Sequence, residues 1–122
     1  MLLAVPFFAF RIVSHTATSL AVSNTAVDLV NDLIRAKDIS RDSGLNITVT
    51  SKPAEAEKPA AYLLENGTNV IEQVDLPKGV SIVGAVNFDD RGMPTQAASF
   101  IISKGFKSVT VEVDAQGTVS EH

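Results

Sequence analysis

Apolar side chains return every three or four positions between Ala17 and Ser43. Val22, Ala26, Leu29, Leu33 and Ala36 follow one line along a helix, and Val30 widens it. Asp28, Asn31, Asp32, Arg35, Asp38 and Arg41 fall on the other side, so the helix is amphipathic. The spacing offers Asp28 to Arg35 and Asp38 to Arg41 as weak electrostatic supports. Gly44, after Arg41, Asp42 and Ser43, has the position of a C-terminal capping glycine.

Beyond Gly44 the period changes from near four to two. LNITVTS, AYLLE, NVIEQVD, GVSIVGAVNF, AASFIIS, SVTVEV and GTVS are short runs rich in β-branched residues, punctuated by Gly, Pro, Asn and Asp. Asn66-Gly67 reads as a hairpin turn, and LPKG at residues 76–79 and DDRGMP at residues 89–94 read as further turns. These signals predict a meander of antiparallel strands over residues 45–120, with KPAEAEKPA at residues 52–60 as an exposed loop. One helix followed by a run of strands predicts an α+β fold, the helix face of Val22, Ala26, Leu29, Val30, Leu33 and Ala36 packing on the sheet.

The first residues do not share the amphipathic pattern. Leu2, Leu3, Val5, Phe7, Phe8, Phe10, Ile12 and Val13 surround a helix axis on every side, and a helix apolar all round is a buried one. If residues 1–43 were one helix, the rod would be roughly 65 Å long at about 1.5 Å per residue. The strand region should be only about 30 Å across, from a radius of gyration near 12 Å. Residues 1–19 are therefore expected to project as a stem, with residues 20–43 lying on the sheet. Burying the eight stem side chains is worth roughly 12–24 kcal/mol at about 1.5–3 kcal/mol each, an upper bound. Water is a poor home for such a surface, so a membrane or other subunits should cover it. Pro6 must start this helix or kink it, because it lacks the N–H for one backbone bond. The alternative is a secretory signal peptide cut near residues 19–21. Against it, no Lys or Arg precedes the apolar run, Arg11 interrupts its end, and the helical pattern continues without a break.

The 122 residues, 45% of them hydrophobic, suffice for one core and not for two, so a single domain is expected. Net charge is −4 and the ten Lys and Arg are scattered, which disfavours a nucleic-acid surface. The absence of cysteine excludes disulfides, thiolate metal sites and cysteine catalysis.

Catalytic chemistry finds little support. His15 and His122 are the two histidines, too few and too ill-placed for a Ser/His/Asp arrangement or a histidine metal pair. Asp28 and Asp32 lie four apart on the helix, yet the sequence shows no apolar pocket to separate their acidities, so a solvated face is expected. Asp89 and Asp90, followed by Arg91 and Gly92, lack the ligand spacing of a calcium loop and read as a tight turn. Gly79, Gly84 and Gly92 punctuate strands and precede no helix, so they form no phosphate loop. Asn46 and Asn66 each begin a glycosylation triplet, which occurs often by chance. No metal and no other cofactor is expected.

Several segments, in order, resemble the type IV pilin-like proteins, and among them the GspH/FimT group of minor pseudopilins and minor pilins. An apolar helix with the step Ala4-Val5-Pro6 is similar to the middle of the pilin assembly helix. DLVNDLIRAKDISRDSGLNITV at residues 28–49 resembles that group's passage from helix to first strand. LPKGVSI (76–82), NFDDRG (87–92) and VEVDAQGTV (111–119) resemble its later signposts. Each motif alone is degenerate; their order carries the match. The family's prepilin leader, with its basic segment, cleavage-site glycine and following glutamate, has no counterpart here, so the sequence looks truncated at its start.

The resemblance implies a non-catalytic subunit held in the inner membrane by its helix, with its globular part in the periplasm, and then moved into a pilus or secretion pseudopilus. Leu2, Leu3, Val5, Pro6, Phe7, Phe8, Phe10, Ile12 and Val13 would contact lipid or the helices of other pilin or pseudopilin subunits. Nucleic acid and small-molecule substrates are not expected partners. Two alternatives differ in class. One is a DNA-capturing minor pilin of a competence system, with a local basic stripe at Lys104 and Lys107; the other is a small secreted domain, such as an enzyme, released by signal cleavage.

Overall fold

The computed structural model describes residues 17–121. Helix α1 runs over Ala17–Ser43, 27 residues or about 40 Å at 1.5 Å per residue. It stops where Gly44 takes a left-handed φ of 71° and its N–H bonds back to the Ser40 carbonyl at 2.9 Å. Residues 1–16 of the expected stem lie outside the described residues.

Eight strands follow: β1 (Ile47–Lys52), β2 (Ala61–Asn66), β3 (Asn69–Asp75), β4 (Ser81–Val83), β5 (Ala85–Phe88), β6 (Ala98–Lys104), β7 (Lys107–Val113) and β8 (Val119–Glu121). All pairings between them are antiparallel. The fold is thus the α+β arrangement of a helix on antiparallel sheet. The single meander, however, divides into two four-stranded sheets, ordered β3-β2-β1-β5 and β4-β6-β7-β8.

Gly84 is where they divide. GVSIVGAVNF looks like one strand because its alternation is unbroken, yet β4 ends at Val83 in one sheet and β5 begins at Ala85 in the other. Gly84 holds φ at 153°, and a β-carbon there would stand 2.6 Å from the Ser99 carbonyl oxygen and 2.7 Å from the Phe100 ring. Only a residue without a side chain lets the backbones cross this closely. Ser51 at the end of β1 stitches the crossing. Its N–H donates to the Gly84 carbonyl (2.9 Å) and its Oγ accepts from the Gly84 N–H (3.1 Å).

Strand alternation then fixes which side chains turn inward. Ile47 and Val49 of β1, Phe100 and Ile102 of β6, and Val109, Val111 and Val113 of β7 are buried, while Ile101 between its two buried neighbours is exposed. They form one cluster with Val22, Ala26, Leu29, Val30, Leu33 and Ala36 of α1, all 3% exposed or less. The helix lies across both sheets, touching β1 and β5 of one and β6, β7 and β8 of the other.

Candidate interaction surface

The far half of α1 is clasped by two loops of one design. Asp89-Asp90-Arg91-Gly92-Met93 and Asp114-Ala115-Gln116-Gly117-Thr118 share the pattern Asp-x-x-Gly-x. In each, the aspartate Oδ1 accepts two backbone N–H bonds: from Arg91 (2.9 Å) and Met93 (3.0 Å) in the first, from Gln116 and Thr118 (both 2.9 Å) in the second. In each, the glycine N–H returns to the aspartate carbonyl at 2.9 Å. The backbone donors hold the Asp89 carboxyl below the usual carboxylate range, first through Met93 and then Arg91. The expected tight turn at Asp89 is thus present, and it has an unexpected twin.

Both glycines lie against the helix. A β-carbon on Gly92 would stand 2.9 Å from Cβ of Arg41 and 3.0 Å from the Lys37 carbonyl oxygen, and one on Gly117 would stand 3.0 Å from Lys37 Nζ. That ammonium donates to the Gly117 carbonyl at 3.3 Å.

The middle of α1 is tied to the first sheet by polar groups. Tyr62 of β2 is wholly buried, and its hydroxyl donates to Asp32 Oδ2. Arg35 donates to Asp32 Oδ1 at 3.2 Å and to Glu72 of β3. The sequence spacing paired Asp28 with Arg35; the structure instead gives Arg35 to Asp32 and Glu72, one turn and one strand away. Asp38 and Arg41 do pair, at 2.9 Å. Burial, then the bond to Asp32, pushes the Tyr62 phenol well above its ordinary value, so it stays a donor.

Asp28 stays exposed, as a solvated helix face requires. It borders a shallow cavity of about 360 Å³ with Asn24, Thr25, Tyr62, Val74, Asp75, Leu76 and Pro77. Desolvation, followed by the neighbouring Asp32 charge, raises its pKa. Tyr62 and residues 74–77 arrive from the sheet beside this face and cover Asp32 more than Asp28. Among the described residues no histidine lines this cavity, and Asp32 accepts from Tyr62 through Oδ2 and from Arg35 through Oδ1. Among the described residues, no group of three or more His, Cys, Asp or Glu is placed to hold a metal ion.

What remains exposed is apolar at several points. Leu20 and Ile34 stand fourteen residues apart on the outer side of α1 and are 39% and 44% exposed. Neither belongs to the inward stripe. Val83 and Ile101 are partners in the β4–β6 register and face outward together. Phe106, at the tip of the β6–β7 hairpin, is fully exposed. Of the sequence-predicted contact residues, Leu2, Leu3, Val5, Pro6, Phe7, Phe8, Phe10, Ile12 and Val13 lie outside the described residues. Among the described residues, no helix is long and apolar enough to cross a membrane.

A helix lying across antiparallel sheets is the arrangement of the type IV pilin-like fold. Two solved proteins carry the same arrangement. The type IV minor pilin FimU of Pseudomonas aeruginosa superposes with a TM-score of 0.66 at 11% identity, over 83% of this chain and 87% of that one. The minor pseudopilin EpsH, from the type 2 secretion system of Vibrio cholerae, superposes with a TM-score of 0.56 at 12% identity, over 83% and 95%. Identity this low speaks for the fold alone. No family model and no curated protein matches the sequence.

Proposed function

We propose that the chain is a non-catalytic minor pilin or minor pseudopilin, anchored in the inner membrane and then built into a pilus or secretion pseudopilus through its N-terminal helix. The observation that carries this reading is the pilin-like fold of α1 and the two sheets, preceded in sequence by the apolar run from Leu2 to Val13. α1 commits one face to its own core. Leu20 and Ile34 on the outer face extend the apolar surface available to neighbouring helices. Asp32 and Arg35 of α1 are occupied in tying helix to sheet through Tyr62 and Glu72, which supports a structural role over a catalytic one.

Leu3→Cys and Phe8→Cys introduce single thiols into a chain that has none. Expressed in cells that assemble pili or pseudopili, each should float with inner-membrane vesicles and crosslink to pilin-class subunits recovered from sheared filaments. A protein found monomeric, soluble and uncrosslinked would overturn the proposal. Mass spectrometry of the mature N-terminus separates it from the secreted-domain alternative, which requires a cut near residues 19–21.

A further inference from the structure

The β6–β7 hairpin ends in Lys104-Gly105-Phe106-Lys107, with Lys104 and Lys107 paired across a two-residue loop. Gly105 has φ of 60° and Phe106 a negative φ, the arrangement of a type II′ turn. That turn asks for glycine at its first position and for nothing apolar at its second. Leaving a phenylalanine in water forgoes the roughly 1.5–3 kcal/mol its burial would contribute, so neither turn geometry nor core packing accounts for Phe106.

The charge around it is one-sided. No Asp or Glu occurs from Arg91 to Val111, in a chain of net charge −4. Lys104 lays its stem along the neighbouring turn, where a β-carbon on Gly79 would lie 3.3 Å from its Cε, and Lys78 precedes that glycine. Lys58 lies across an adjoining cleft of about 550 Å³, whose far wall also holds Glu55 and Glu57. Four lysines thus stand against two glutamates.

Position supplies the third argument. The turn that supports Lys104 follows Leu76 and Pro77, which border Asn24, Thr25 and Asp28 in the first half of α1. The opposite end of β6 and β7 leads to the loop of residues 114–118, which holds Lys37 in the second half. The hairpin tip is therefore at the end of the domain where α1 receives the apolar N-terminal segment.

We propose that this tip docks on an anionic lipid surface, Phe106 entering the headgroup boundary while Lys78, Lys104 and Lys107 meet the lipid phosphates. Aromatic side chains flanked by lysines suit that boundary, where each lysine contributes about 1 kcal/mol and the attraction is screened by salt. The orientation rests on the membrane-held stem proposed above; the lipid contact belongs to the tip itself.

The protein contains no tryptophan, so Phe106→Trp supplies a single reporter. The full chain carrying it is floated with vesicles of phosphatidylcholine alone and with equal parts phosphatidylglycerol. The expected result is co-flotation with both, a blue-shifted emission with quenching by brominated lipid only on the anionic vesicles, and reversal by salt. Adding Lys104→Gln and Lys107→Gln should lower the bound-to-free ratio of the tip about thirtyfold, at roughly 1 kcal/mol per lysine. Co-flotation with water-like emission on both membranes would overturn the tip's role and leave the anchor standing. A shift on anionic vesicles without flotation on neutral ones would keep the tip and remove the anchor. Equal shifts on both membranes, a shift on self-association without lipid, or a shift on adding duplex DNA would each replace the anionic surface with another partner.

Discussion

The two halves of α1 are treated differently by the sheets beneath them. The second half is gripped by two loops whose glycines bring backbone against helix, and whose aspartates are saturated by backbone donors. The first half borders a shallow cavity, a partly desolvated Asp28 and, past the turn at residues 76–79, a hairpin tip with an exposed aromatic ring. One end spends its special residues on internal contact. The other leaves an aromatic and several charges facing outward, at a cost to the folded monomer that a partner surface would offset.

Substitutions should therefore separate by end. The largest loss should come from Gly92→Ala, which forces a left-handed φ of 82° on a side chain and sets its β-carbon 3.0 Å from a helix carbonyl that cannot swing away. About 2–4 kcal/mol of unfolding free energy should disappear in urea titrations.

The next effect has the opposite sign. Glu121 of β8 is 1% exposed and neither carboxylate oxygen has a hydrogen-bond partner, so desolvation raises its pKa. A carboxyl whose folded pKa lies above its unfolded value binds protons more tightly when folded. Its burden is absent below the ordinary value of 4.5, grows as pH rises through the folded pKa, and is complete above it. Glu121→Met should therefore stabilise by about 1–3 kcal/mol at pH 8, and by much less at pH 4. Equal gains at both pH values would show that charge is not the cause. Asp89 has the reverse sign, its contribution present above its unfolded value and lost as pH falls through the lowered one.

Tyr62→Phe probes the junction between the ends. It removes the donor to Asp32 while keeping the ring, and should cost about 1 kcal/mol, since Asp32 retains Arg35. The smallest effect on folding belongs to Phe106→Ser. Thermal or urea midpoints should move by less than the equivalent of about 0.5 kcal/mol, in contrast to any core phenylalanine.

The C-terminal end of α1 and the presence of antiparallel strands were legible because both follow from local signals, which survive in a single sequence. The partition into two sheets was not, since a period of two states which way side chains point and not which strand lies alongside. Gly84 sits in an unbroken alternating run, and only the approach of Ser99 and Phe100 from the other sheet reveals why a glycine is there. The cavity beside Asp28 was hidden for the same reason, being completed by Tyr62 and Pro77 from distant parts of the chain. The twin loops left a readable trace in DDRGM and DAQGT, a shared Asp-x-x-Gly-x spacing that no repeat search over longer periods would register. Phe106 leaves a similar trace, an aromatic between two lysines at a Gly turn, that hydrophobic periodicity does not register.

Those twin loops also bear on what happens when the helix is pulled along its axis. One leaves β5 of the first sheet and the other joins β7 to β8 of the second, and both meet α1 at Lys37. Tension arriving through the helix is thus split into two routes, each ending in strands of a different sheet. A domain built this way should resist extraction by sharing the load, neither sheet having to peel before the other begins to resist.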